Sequence, residues 1–412
     1  MENGDEKEAD LKPLYIRSVV NSLGAGMVSP FMGAYAVKLG ASSAEMGWYQ
    51  SSSNISNNVM QVFWGRLSDK VKRRVPFIIV GTLAMALLWI PMVFVANATQ
   101  LIILIAIQAV LGSMATPALT ALIGDLVPSS KLGRANANIN LWASTGSLIA
   151  TMASGALMIS VGGTPQEMMF LPLVIATICG VISCLAMVNV KEGKSGEKIN
   201  LTREFASDFI SMLKYAGRSH TFVKYCTVVG FFEFSMSICW PLIPRTQVDV
   251  LGASMLQIAL LSVVQSLLTI IFQGWAGRFT DTMGRRPALI IYRFSLITVP
   301  IAYAFAPNIN ALIAIGAFWG LVTALGQAGI TAYLLDISPP EYRGSFTAVF
   351  NLVLGITSFF GSLIGGYLSA YTIDAFGLVV GLQIVYMVSM VGRAIGAILH
   401  LTLKETLREN KL

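Results

Sequence analysis

The sequence predicts an all-α integral membrane protein of about twelve transmembrane helices, built as two six-helix bundles related by a parallel repeat. Three observations predict it: a composition too apolar for a soluble domain, twelve apolar stretches on mostly short connections, and motifs that return in register in the second half. Of 412 residues, 55% are hydrophobic and 12% charged. Soluble domains carry about 25% charged residues, and a chain this apolar would have to split into several domains to hide its surface from water. A bilayer removes the difficulty, because its interior is itself apolar and each crossing needs about 20 predominantly apolar residues.

The stretches run over about 14–38, 42–66, 75–97, 100–124, 135–160 and 167–190, then about 220–246, 253–277, 287–306, 309–335, 343–371 and 376–403. Segments such as Val95–Gln100 and Ala306–Asn310 are short, as expected of helices that return through the membrane. Residues 191–219 are the exception, charged and hydrophilic, and divide the chain into a first half (1–190) and a second (220–412). Inside this linker, Leu201–Tyr215 brings Phe205, Phe209, Ile210, Met212 and Leu213 near one helical face, the pattern of a short helix lying in the membrane interface.

Basic residues set the orientation. With the N-terminus cytoplasmic, the outer loops hold only Lys38 and Arg245 of the 28 lysines and arginines. Both termini are therefore expected inside, in the plasma membrane. The N-terminal MENGDEKEADLKP has neither a basic n-region nor a small-residue cleavage site, so no removable signal peptide is read there.

Several functions are excluded by the same inventory. The net charge of +7 is spread in short runs between apolar stretches, without the gathered basic face that nucleic acid requires. Cys179, Cys184, Cys226 and Cys239 lie inside apolar stretches, and with two histidines no metal site can be assembled. No phosphate-cradling G-x-x-x-x-G-K-[ST] loop is present, which leaves ATP drive and any cofactor unsupported. His220 and His400 sit at helix ends without an acid and nucleophile beside them, so the chain does not read as an enzyme.

The repeat is carried by two landmarks. Gln61-Val-Phe-Trp-Gly65-Arg-Leu-Ser-Asp69-Lys-Val-Lys-Arg73-Arg74 returns in the second half as Gln273-Gly-Trp-Ala-Gly277-Arg-Phe-Thr-Asp281-Thr-Met-Gly-Arg285-Arg286. At nearly the same offset, Asp125-Leu-Val-Pro128 through Gly133 returns as Asp336-Ile-Ser-Pro339 through Gly344, and Gly155 returns as Gly366. Halves that repeat in the same direction are a known transporter architecture.

These segments resemble the G-x-x-x-D-x-x-G-R-R loop and the Asp-x-x-Pro…Gly pattern of the major facilitator superfamily, and the resemblance covers essentially the whole chain. It implies that the loops latch the inner ends of the halves together in the outward-facing state. Asp69 would then address the start of the eleventh helix near Arg343 and Gly344, and Asp281 the start of the fifth near Gly133 and Arg134. A carboxylate at a helix N-terminus is worth about 0.3–1 kcal/mol at the surface. Arg73 would brace Asp125, and Arg285 would brace Asp336; the alternative is that these arginines only set topology. Gly65 and Gly277 would permit close helix approach. Lys72 stands where the loop expects a glycine, so the first latch departs from the second.

Polar groups inside a membrane mark function by default. Asn54, Asn57, Asn58 and Gln61 follow i, i+3, i+4, i+7 spacing, which places four carboxamides on one helical face. Asn54 and Asn57 are cavity candidates against an interhelical hydrogen-bonding role, whereas Gln61, with Gln273 as its repeat partner, reads as architectural. Glu233 lies about 12 residues, or ~18 Å, into the seventh helix. As a lone carboxylate it would be a candidate to carry a coupling proton or pair with a cationic solute, against a structural hydrogen bond. The family implies a cavity lined by helices 1, 4, 7 and 10, which adds Asn21, Gln108 and Gln327.

The expected function is secondary transport of a small organic solute by alternating access, as a monomer in the lipid bilayer, with proton coupling through Glu233 and a preference for efflux. Uptake of a polar metabolite and a transporter-like sensor without turnover are the alternatives. The topology is directly testable: cysteines at Ala98 and Gly162 should react with an impermeant thiol reagent in intact cells, and cysteines at Ser195 and Lys411 should not.

Overall fold

The computed structural model describes residues 12–71, 73–127, 129–188, 190 and 211–407, which form helices without a strand among them. The Asp69 and Arg134 side chains and the linker residues Phe205, Phe209 and Ile210 lie outside what is described.

Among the described residues, twelve long helices follow in order. α1 is Lys12–Val28, continued through a 3-10 turn at Ser29–Phe31 into Met32–Lys38. α2 is Ser43–Ile55, a π-helical turn at Ser56–Met60, and Gln61–Val71. α3 is Val75–Val93, α4 Ala98–Leu126, α5 Ser129–Val161 and α6 Pro165–Val188. In the second half α7 is His220–Val250, α8 Met255–Met283, α9 Arg285–Phe305, α10 Ile309–Asp336, α11 Arg343–Phe376 and α12 Leu378–His400. Ten of these are long and apolar enough to cross a membrane; α1 is split by its 3-10 turn and α2 carries the four carboxamides.

The helix starts repeat along with the loops. Ser42 and Glu45 form a capping box at the start of α2, with Ser42 N–H donating to Glu45 Oε2 at 2.9 Å and Glu45 N–H to Ser42 Oγ at 3.2 Å. Their repeat partners Ser254 and Gln257 form the same box at the start of α8. Asn97 caps α4 through Gln100 N–H, and its repeat partner Asn308 caps α10 through Ala311 N–H, both at 3.0 Å. Such a cap contributes about 1 kcal/mol.

α1 packs on α5 and α6, and α3 on α6 and α4; α8 packs on α10, and α7 on α11 and α12. Among the described residues the halves meet mainly along two seams, α2 with α11 and α5 with α8, and the distal part of α1 also touches α7 and α8. Small residues make both seams. A Cβ on Gly366 would come 2.6 Å from Gly47 Cα, and one on Gly155 would come 2.7 Å from Ala259 Cβ. These two glycines are repeat partners, so one sequence device closes both seams, as small residues do when helices must approach in lipid. Hydrogen bonds add to the α2–α11 seam: Ser51 Oγ to Phe359 O at 2.8 Å and Ser369 Oγ to Ser43 Oγ at 3.0 Å; Arg245 of α7 also reaches Ser43 Oγ, at 2.7 Å.

All of these contacts lie toward the end of the bundle away from the termini. At the terminal end Gly344 and Gly277 have nothing within 4 Å of an added Cβ and the Asp281 side chain is 71% exposed, while Arg66 Nη2 of α2 donates to Met212 Sδ at 2.7 Å. Gly277 is thus not a point of close approach. Gly65 is one, with an added Cβ 3.2 Å from Pro117 on α4 of its own half. Residues 211–217 of the linker are helical, but Met212 and Ala216 are buried with Phe222, Tyr225 and Phe346. The ring of Tyr215 lies 4.3 Å from that of Tyr342. This part of the linker packs on α7 and α11.

Gly366→Val should open the distal seam, since overpacking costs about 1–3 kcal/mol and the nearest atoms are backbone of α2. Cysteines at Ser43 and Ser369 should cross-link readily in the parent protein and lose most of that reaction when Gly366→Val is added.

Candidate functional site

Three interruptions of regular helix converge on one cavity. α1 breaks at Ser29–Phe31, where Pro30 has no N–H to donate. α2 widens into its π turn at Ser56–Met60. α4 is interrupted between Gly112 and Ala115, which frees the carbonyl of Val110 to accept from Trp64 Nε1 at 3.1 Å and Ser113 Oγ at 2.7 Å. Between these helices and α3 lies a cavity of about 340 Å³, lined by Ser29, Ser53, Asn57, Gln61, Gln108 and Trp89 among others. Irregular backbone at membrane depth is tolerated where it lines a cavity or is buried in protein.

The π turn also redistributes the four carboxamides, which do not share one face. Asn54 turns to α11, its Nδ2 donating to Ser358 O at 3.3 Å and Ser362 Oγ at 3.1 Å. Asn58 follows it, donating to Asn54 O at 2.9 Å and packing beside Gly355. Asn57 and Gln61 turn to the cavity. Gln61 is therefore a lining residue, contrary to its architectural reading, while Asn54 is part of the seam. Gln108 lines the same cavity and donates from Nε2 to Met85 O at 2.9 Å. Asn21 is elsewhere, beside Thr82 and Gly180 in a cleft of about 10 Å³ within the first half, room for about one water. Gln327 lies on an exposed stripe of α10 with Thr331, one turn on.

Glu233 is not alone. Arg293 Nη1, from α9, donates to its Oε1 at 2.9 Å. The guanidinium is fully buried and lies 4.4 Å over the Phe232 ring. Beside it Arg393 of α12, 1% exposed, donates to Leu296 O at 2.7 Å and Met236 O at 3.2 Å. Glu233 thus points into the second half among α7, α9 and α12, away from the cavity. The expectation of an unpaired carboxylate fails because two arginines that sequence counting assigns to helix ends sit inside the bundle. Their position within the stretches at 287–306 and 376–403 was the signal.

At the terminal end, Arg285 Nε meets Asp336 Oδ2 at 3.1 Å, and its Nη1 meets Asp281 Oδ1 at 2.7 Å. In the first half Arg74, not Arg73, approaches Asp125, at 3.5 Å, while Arg73 is exposed. The difference follows from Gly284, whose φ of 114° a lysine rarely adopts; Lys72 occupies the repeat position. A Cβ at Gly284 would also strike the carboxylate of Glu405. Glu405 accepts from the N–H groups of Arg285 at 2.9 Å and Arg286 at 3.1 Å, capping α9, and Thr406 Oγ1 donates to Asp336 at 2.8 Å. Partial burial pushes the Glu405 carboxyl up, but the backbone N–H groups of Leu407, Arg285, Arg286 and Thr406 together hold it below its ordinary value. Arg343 is exposed, and Asp281 faces Arg285 of its own half.

A sequence profile of the Major Facilitator Superfamily matches residues 14–237 and again 225–411. The chain belongs to the major facilitator superfamily. It is 22% identical over 376 residues to an uncharacterised MFS-type transporter of Methanocaldococcus jannaschii, covering 89% of this chain and 90% of that one. It is 24% identical over 345 residues to the multi-drug resistance efflux pump PmrA of Streptococcus pneumoniae, covering 80% and 82%. Its fold matches the crystal structure of a point mutant of the nucleoside transporter NupG with a TM-score of 0.76 at 15% identity, covering 95% of this chain and 99% of that one.

In this superfamily member the Glu233–Arg293 pair should carry stability. Glu233→Gln leaves a buried guanidinium without its counter-charge, a loss of about 3–5 kcal/mol. Thermal unfolding of the purified protein should show it, and adding Arg293→Met should recover most of the loss. A Glu233→Gln protein as stable as the parent would show that the pair contributes nothing.

Proposed function

We propose that this chain is a secondary transporter that exports a small organic solute by rocking of residues 1–190 against residues 220–412 about the linker at 191–219. The observation that carries the reading is the joint state of the seams and the cavity. The distal ends are closed by glycine contacts, Gly344 and Asp281 at the terminal end are open, and a cavity bearing carboxamides lies in the first half. With both termini cytoplasmic in the plasma membrane, as the distribution of basic residues favours, this is an inward-facing state ready to load from inside. Asp69 and Asp281 then serve as the latches that close in the opposite state, with Arg74, Arg285, Asp125 and Asp336 as braces. The similarity to a streptococcal efflux pump favours export over uptake. A proton gradient is the proposed drive.

A thermal-shift screen of the purified protein identifies a ligand, because binding raises apparent stability. Proteoliposomes preloaded with that ligand should release it faster than protein-free liposomes, and faster still under a pH gradient. Asp281→Asn should slow release while leaving the shift itself intact. A ligand that stabilises but never crosses would make the protein a sensor and defeat the proposal.

A further inference from the structure

We propose that the cavity among α1, α2, α3 and α4 is a ligand subsite held by the first half alone, and that it selects an uncharged solute with a flat ring and several hydrogen-bonding groups. This rests on the transport reading above and specifies its substrate class.

Two independent observations place a ligand there. The first is the backbone. α2 and α4 are interrupted beside the cavity, whereas their repeat partners α8 and α10 run unbroken over Met255–Met283 and Ile309–Asp336. The repeat shows that the regular alternative exists for these helices, and the first half departs from it where Asn57, Gln61 and Ser113 line the cavity. Discontinuous helices at a transporter's midplane are where substrate groups are met.

The second is the lining. Among the described residues fourteen line the cavity, and none of these is Asp, Glu, Lys, Arg or His. Three carboxamides, on Asn57, Gln61 and Gln108, both donate and accept without carrying charge. Tyr49 and Trp89 supply rings with a polar tip. The charges that the second half does bury are already paired or bonded to carbonyls in its own interior. A charged solute would leave water for this cavity with no counter-charge, a penalty of several kcal/mol. A neutral one would trade water for carboxamides and hydroxyls at little cost. The volume of about 340 Å³ sits near the lower end of small-molecule sites, about 300–1,000 Å³, and so suits a compact molecule.

The test needs no knowledge of the natural solute. Ser53→Cys, on a background with the four native cysteines replaced by alanine, is reacted with 2-hydroxyethyl, 2-trimethylammonioethyl and 2-sulfonatoethyl methanethiosulfonate. Each rate is divided by that reagent's rate with free 2-mercaptoethanol. The neutral reagent should exceed both charged ones by about tenfold or more, which corresponds to about 1.4 kcal/mol. Adding Asn57→Asp should turn the preference to the cation. A normalised rate for either charged reagent that equals or exceeds the neutral one overturns the proposal, and so does failure of all three to react. Ala109→Cys gives the same reading should Ser53→Cys not fold. The ligand-release assay separates the two readings. Release unaffected by the neutral adduct at position 53 removes the subsite and leaves transport standing. Neutral preference in a protein that moves nothing upholds the pocket's selectivity and removes transport.

Discussion

Inside hydrocarbon no water can complete an unmade hydrogen bond, and nearly every feature of this protein follows from that constraint. It makes the chain helical throughout its described length. It sends hydroxyls such as those of Thr177, Thr227 and Ser235 back to the carbonyl four residues earlier. It forces Arg393 onto the carbonyls of Leu296 and Met236 and Arg293 onto Glu233. It also gives meaning to exceptions. Where three helices break their own ladders together, a cavity lies among them, and the freed Val110 carbonyl is taken up by Trp64 and Ser113.

The two halves have used one ancestral plan differently. Both keep the capping boxes, the asparagine caps and the seam glycines, which govern where helices start and how closely they meet. The second half invests its polarity in a sealed cluster of Glu233, Arg293 and Arg393 that ties α7, α9 and α12 together. The first half leaves its polarity unsealed in carboxamides around a cavity.

The fold was legible because apolar stretches, basic loops and the repeat are all properties of the chain in one dimension. The seam was half legible: the match of Gly155 with Gly366 was visible in sequence, but its purpose needed Gly47 and Ala259 on the facing helices. The site was less so. A helical wheel assumes 3.6 residues per turn, and the π turn at Ser56–Met60 breaks that assumption in the middle of the carboxamide set, sending Asn54 and Asn57 to different neighbours. Glu233 was correctly placed in depth and wrongly placed in company, because depth follows from counting while a partner 60 residues away follows from packing. Arg74 replaced Arg73 for a local reason, the missing glycine at Lys72.

Glu405 caps the first turn of a helix that begins 120 residues before it. Proteins are made from the N-terminus onward, and early parts fold first. α9 therefore enters the membrane with its first N–H groups uncovered, and they stay so until the last turn of the chain has been made. The Arg285–Asp336 brace receives its third member, Thr406, at the same moment. The packing at the start of α9 is thus completed only after residues 401–407 have been made.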